Sequence, residues 1–290
     1  MAPEQRSASR APPYCRVFGA DALADAGTFD FSVVIPAILR STLPRAVRSI
    51  FAQDLPGRVQ TLIGVDVPLN EFGPIEAACQ EHPSNHTVML FYPGYSTSVR
   101  HGGLHPAWDG GALRTILSYL AVSRRVAYLD GDNWWAPNHL SSLSAALEGH
   151  DWAWSRRLFV HPRSSEPICE DIWESIGPVR EGTFARLGGW VDPNCLAIDK
   201  LACEAALRWW SIPLRNSRTA MDADRNVFRV LSEGFRGRGT GTASVFYTVN
   251  ERDPEQPGRV AAIGEARYRA AGERVRPTAE ARAMALAPDT

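Results

Sequence analysis

Apolar residues along the chain fall into short runs that alternate with stretches of helical spacing. Phe31-Ser32-Val33-Val34-Ile35-Pro36 predicts a first strand ended by its proline. Leu43, Ala46, Val47, Ile50 and Phe51 then recur at helical intervals over residues 43–53. Residues 59–67 predict a second strand with Asp66 near its end, 75–80 a short helix and 87–92 a third strand. The Gly-, Ser- and His-rich stretch 93–108 reads as a long loop. A helix-like run from Asp109 leads into Val126-Ala127-Tyr128-Leu129, a short apolar strand of the buried kind. Residues 137–147 predict the next helix, with Pro137 tolerated in its first turn.

The second half is patterned less clearly. Residues 152–157 alternate as a strand, while 168–189 show no usable period. Residues 194–198 predict a short strand running into a helix over 199–210, and 213–219 a loop. Residues 222–233 predict a helix stopped by Gly234, and 244–249 a last strand. Residues 1–28 read as a tail and lead-in, 29–250 as one domain, and 251–290 as a helical extension or tail. Both ends are expected to stand outside the chemistry.

Strands alternating with helices imply an α/β fold, a single domain with a mostly parallel central sheet flanked by helices. In such sheets ligands sit beyond the carboxyl ends of the strands. The segment from Pro36 to Arg40, Asp66, and the Asp130-Gly131-Asp132-Asn133 turn all fall at such ends. Side chains two apart share a face of an extended chain, so Asp130 and Asp132 can converge on one point. Gly131 between them permits a bend or the close approach of a ligand. Hard oxygen ligands suit Mg²⁺ or Mn²⁺, especially where phosphates complete the shell. Short acidic turns are also common on surfaces, and that reading stands beside the metal–diphosphate one.

Composition narrows the classes. The net charge of −1 over 290 residues offers no global basic field for nucleic acid. Lys200 is the only lysine, a bias that points to a GC-rich bacterial genome. Five cysteines without a CxxC pair indicate neither a disulfide framework nor a zinc site and favour a reducing cytoplasm. No run is long and apolar enough for a membrane span, which leaves peripheral contact with a membrane open.

FSVVIP, Asp66 after the second strand, Arg114 one helix ahead of the acidic strand, and above all AYLDGDN give residues 31–234 their likeness. In these the chain resembles the family 2 glycosyltransferases, which use the GT-A fold. The resemblance implies inverting transfer of a sugar from a nucleoside-diphosphate sugar, such as a UDP- or GDP-sugar, to an acceptor hydroxyl. Saccharide, lipid-linked and protein acceptors all qualify. Residues 29–135 would then be the nucleotide half and 136–250 the acceptor half. Asp130 and Asp132 would hold Mn²⁺ or Mg²⁺, and Asp130 and Gly131 would border the donor. Pro36, Ala37 and Arg40 would frame the nucleoside. Asp66 would contact a base bearing a ring N–H, the alternative being a loop aspartate bonded to its own backbone. Arg114 would touch the donor or form a salt bridge within the fold.

The general base falls on Asp222 or Asp224, with a slight preference for Asp222, against helix capping as the plain alternative. Val67 and Thr115 depart from the family pattern at positions where it often has an acidic residue and an asparagine, and no histidine follows His161. Trp134 or Trp135 could stack on a sugar, or pack in the core as Trp209 and Trp210 are expected to do. Asp192 to Asn194 fall where acceptor groups would lie, and His101 and His105 in the glycine-rich loop could order on the donor. Two other classes share these features: a nucleotidyltransferase of related form, and a non-catalytic nucleotide- or sugar-binding relative.

Overall fold

A computed structural model describes residues 12–19, 27–215, 222–249 and 256–274. One mixed sheet organises them. The strands are β1 (Tyr14–Phe18), β2 (Phe31–Ala37), β3 (Val59–Val65), β4 (His86–Tyr92), β5 (Arg125–Tyr128), β6 (Trp134–Trp135), β7 (Trp152–Val160), β8 (Pro167–Glu170), β9 (Leu196–Asp199) and β10 (Gly237–Thr248). Their order is β1-β4-β3-β2-β5-β9-β7-β10-β6, with β8 paired to β7. β4, β3, β2 and β5 run parallel, whereas β9 lies antiparallel to both β5 and β7. β7 therefore points the same way as β5, and β10 runs parallel to β7. The carboxyl ends of β2, β3, β5, β7 and β10 thus share one edge.

The parallel half forms where the sequence is most apolar. Every residue of β3 is buried, as are all but Pro36 of β2. Each Val, Leu or Ile fully buried there contributes about 1.5–3 kcal/mol. Helices α1 (Leu43–Phe51), α2 (Gly73–Gln80) and α3 (Gly111–Leu120) cover it. Pro36 does not end β2, which continues through Ala37. Val34 faces β5, accepting from the Leu129 amide, and Pro36 shares its parity. β5 pairs with β2 only as far as Val34, so the N–H that proline lacks falls beyond its reach.

The other half departs further from expectation. α4 (His139–Leu147) begins two residues later than predicted, with Asn138 at its cap and Pro137 outside its first turn. The helix expected over 199–210 is instead one α turn, α5 (Glu204–Leu207), followed by 3-10 turns over Arg208–Ser211. Pairing with Arg125 keeps Asp199 in β9, and its carboxylate accepts from the Leu201 and Ala202 amides, turning the chain first. α6 (Ala223–Gly234) stands where the late helix was expected. The last strand begins seven residues early, at Gly237, because its glycines leave room for large indoles: a Cβ on Gly237 would lie 2.3 Å from Trp152. Two helices, α7 (Gln256–Ile263) and α8 (Glu265–Glu273), cover a small second core of Phe159, Ile168, Val249, Ile263 and Ala271. The lead-in contributes β1, antiparallel to β4 at the sheet margin. Among the described residues no helix is long and apolar enough to cross a membrane.

Candidate active site

The acidic turn leaves β5 at the middle of the shared edge. Leu129 still pairs with Val34, and the Asn133 amide then closes a turn on the Asp130 carbonyl at 3.1 Å. Both flanks pin it. Thr42 Oγ1 donates to the Gly131 carbonyl at 2.7 Å, and Arg45 and Thr248 Oγ1 donate to that of Asp132. Gly131 sits against Leu43, where a Cβ would come within 3.1 Å of a methyl group. The turn is therefore held through its backbone from both flanks, and Asn133 Oδ1 adds a bond from the Thr248 amide at 2.8 Å.

The two aspartates are not equivalent. Asp130 receives Arg114 Nη2 on Oδ1 and Asn194 Nδ2 on Oδ2 at 2.9 Å, while its amide donates to Asn194 Oδ1 at 2.6 Å. Asp132 is partly exposed and binds Arg40 Nη1 at 2.5 Å through one oxygen alone. Burial first, and then the charge of Asp130, pushes the Asp132 carboxyl above the usual range, with Arg40 opposing. A cation would relieve that repulsion, so the pair fits a hard divalent ion. Among the described residues no three His, Cys, Asp or Glu side chains are grouped to hold a metal alone.

Arg114 is buried and does not stand open to a ligand. Its guanidinium bonds the Asp109 carbonyl and Asp130, with its centre 5.3 Å from the Trp210 ring. Gly111 makes that packing possible, since a Cβ there would overlap the Trp210 carbonyl at 1.8 Å. Of the two late aspartates, Asp222 is committed: one oxygen accepts from the Leu214 amide at 3.0 Å. Among the described residues, Asp224 accepts from the neighbouring Arg225 amide at 2.7 Å. Burial and then Asp109 push the Asp224 carboxyl up to about 8, with Arg225 opposing. Asp109 itself is raised to about 6, chiefly by burial, and one of its oxygens is buried without a hydrogen bond.

At the end of β3, Asp66 is buried and holds the long loop. Its oxygens accept from the Thr97 amide at 2.7 Å, Thr97 Oγ1 at 2.8 Å and Ser96 Oγ at 2.6 Å. His101 and His105 lie exposed on that loop. Pro36 supports Gly110 at the start of α3, and Ala37 accepts the Asp66 amide through its carbonyl. Between Ala37 and Arg40 the chain passes through Leu39 at φ 47°, a strained conformation for a bulky residue of the kind that gathers at functional sites.

The tryptophans after the turn are occupied. Trp134 stacks on Phe246 and carries the Arg45 guanidinium 3.7 Å from its ring centroid, so a sugar-stacking role finds no free face evident. Trp135 is in the core and donates to the Asn194 carbonyl at 3.0 Å. Trp210 is also core, with Trp209 packed against it. Asp192 and Asn194 are buried and tied to Asp130 rather than open to an acceptor. Arg157, which sequence reasoning passed over, is fully buried among Asp171, Glu174 and Asp192. Its one signal was phase: it shares the inward parity of Ala153 and Ser155 along β7.

A mixed sheet flanked by helices, whose parallel half ends in an acidic turn, is the arrangement of the GT-A fold. Among solved structures the chain is similar to Staphylococcus aureus TarS 1–349 in complex with UDP-GlcNAc, with a TM-score of 0.54 and 13% identity over 77% of this chain and 60% of that one. It is likewise similar to the mannosyltransferase PcManGT from Pyrobaculum calidifontis in complex with GDP-Man and Mn²⁺, at a TM-score of 0.52 and 13% identity over 97% and 70%. The chain spans 38% of a longer TarS chain. No family model and no curated protein matches the sequence.

Proposed function

We propose that this chain is a metal-dependent, inverting glycosyltransferase that moves a sugar from a nucleoside-diphosphate sugar to an acceptor hydroxyl. The observation that carries the reading is the division of labour at the shared edge. Asp130 is immobilised, Asp132 is partly exposed and among the described residues is held by Arg40 through one oxygen, and a carboxyl raised to about 8 stands on the late helix. Asp130 and Asp132 would hold Mg²⁺ or Mn²⁺, which when bound would neutralise charge on the departing diphosphate. Pro36, Ala37, Arg40, Asp66 and Gly131 border the space for the nucleoside and diphosphate, and Arg114 acts on it through Asp130.

Asp224, rather than Asp222, is the base. Its ionised carboxylate takes the acceptor proton as the hydroxyl oxygen attacks the anomeric carbon. The carbon–oxygen bond to the diphosphate breaks on the opposite face, with both electrons leaving on the diphosphate. A raised pKa makes Asp224 a stronger base once ionised, and brings its titration near the working pH.

The segment from Pro36 to Arg45 contains no glycine, which disfavours the phosphate loop of a nucleotidyltransferase. The test is a panel of UDP-, GDP- and TDP-sugars incubated with Mn²⁺, read as nucleoside diphosphate released with and without candidate acceptors. Release from one donor class, lost in Asp224→Asn while donor binding persists, supports the reading. Tighter binding of nucleoside triphosphates than of diphosphate sugars, without release, contradicts it.

A further inference from the structure

Asp130 stands at a strand end, where a carboxylate ordinarily rotates, yet each of its polar groups is fixed. Asn194 supplies two of those contacts from the 3-10 turn Pro193–Cys195 ahead of β9: Oδ1 accepts the Asp130 amide, and Nδ2 donates to the Asp130 carboxylate. That pairing admits only one orientation of the amide, because an N–H needs the oxygen and a carboxylate needs the nitrogen. The same nitrogen donates to Asp192 Oδ1 at 2.6 Å, which also accepts the Asn194 amide at 2.9 Å. Trp135 Nε1 takes the Asn194 carbonyl. No polar group of this buried residue is left over.

Behind Asn194 stands a buried ion cluster. Arg157 donates to Asp192, to Asp171 at 2.8 Å and to Glu174 at 2.6 Å, and Arg259 of α7 reaches Glu174 at 2.9 Å. Ser175 Oγ accepts the Asp192 amide at 2.9 Å. Burying several charges is a poor route to stability, since well-packed apolar groups of equal volume usually do as well or better. What such a cluster does secure is a single geometry. Its most direct output is Asp192, Asn194 and then Asp130.

We propose that Asn194, locked by Asp192 and Arg157, is a positioning residue that aims the Asp130 carboxylate at the divalent ion and diphosphate. The proposal rests on the metal–donor reading of the turn. It makes the C-terminal helix α7, through Arg259, part of the same support. Partners of this kind behind a metal ligand typically change metal affinity about 10–100-fold.

The test measures Mn²⁺ affinity in the presence of UDP by electron paramagnetic resonance, on the full chain. Wild type, Asn194→Ala and Asn194→Asp are compared, and thermal unfolding without ligand reports their folding. The account expects both variants to lose about 10–100-fold in Mn²⁺ affinity. Asp192→Asn keeps an acceptor for Asn194 and should retain part of the lost affinity. Folded variants that bind Mn²⁺ like the wild type overturn the positioning role while leaving the donor site standing. A wild type that binds no Mn²⁺ with UDP removes the donor reading, and the proposal with it. If neither Asn194 variant folds, amide exchange of Asp130 in the wild type decides: strong protection supports the clamp, and exchange at the rate of an open turn overturns it.

Discussion

The two halves of the sheet solve the problem of holding a ligand edge by different means. From β4 to β5 the strands are parallel, apolar and mostly buried, and the functional groups emerge on loops at their ends. From β9 to β10 the strands alternate in direction, and the interior holds charge: Arg157, with no exposure, among three acidic residues. The first half gains order by burying hydrocarbon, which is non-directional and tolerant. The second gains it through hydrogen bonds that accept one geometry. Asp130 is held from both: Arg114 of α3 takes one carboxylate oxygen, and Asn194 from the second half fixes the other and the amide.

The largest effect should come from the base. Asp224→Asn is expected to lower kcat by about 10²–10⁴-fold with donor binding retained. Asp222→Asn should instead loosen the Leu214 contact and spare most of the chemistry, so a steady-state comparison of the two separates base from structural acid. Next is Arg157→Met. Removing the cation that joins Asp171, Glu174 and Asp192 leaves Arg259 on Glu174 alone and the two aspartates uncompensated, and should cost about 3–5 kcal/mol in chemical denaturation. An equal cost from removing an apolar residue of the parallel half would not blur the contrast, provided only Arg157→Met also weakens Mn²⁺ binding.

How much of this was legible follows the same divide. The opening strands, α1 and the acidic turn could be read because apolar periodicity and a D-x-D sequence are local signals. Asp66 and the late helix were legible as elements, but what Asp66 binds was not, since Ser96 and Thr97 sit thirty residues away in a loop without period. Asn194 was legible only as a candidate on the acceptor side and Arg157 not at all, because their roles lie in contacts made across the sheet. The early start of β10 was hidden for a different reason. Glycines weaken a strand signal, and only the fold shows Trp152 and Trp154 occupying the space that the missing side chains of Gly237 and Gly239 leave.

Smaller effects sharpen the comparison further. Asp66→Ala should release the Ser96–Thr97 segment at a cost of about 1–3 kcal/mol and weaken nucleotide binding, with hydrogen exchange of the loop amides as the readout. The acidic edge should also imprint a pH dependence on stability. The folded-state pKa values of Asp224 and Asp109, about 8 and about 6, lie above the ordinary aspartate value, so the folded state retains protons that the unfolded chain has lost. Their contribution to stability therefore falls as pH rises from about 4 toward about 8. Asp224→Asn should flatten the upper part of that slope, as seen in thermal unfolding of the free protein across pH. Arg40→Ala should matter least to stability, about 0–1 kcal/mol, because its pair with Asp132 is partly exposed.

The claim on which the rest depends is that the turn after β5 binds a nucleoside diphosphate through a divalent ion. Isothermal titration of UDP and GDP into the wild type and Asp132→Ala, each with Mn²⁺ and with chelator, addresses it directly. The account predicts binding of one nucleotide that requires Mn²⁺ and is lost in Asp132→Ala. Binding of equal strength in chelator, or undiminished in the variant, would contradict it.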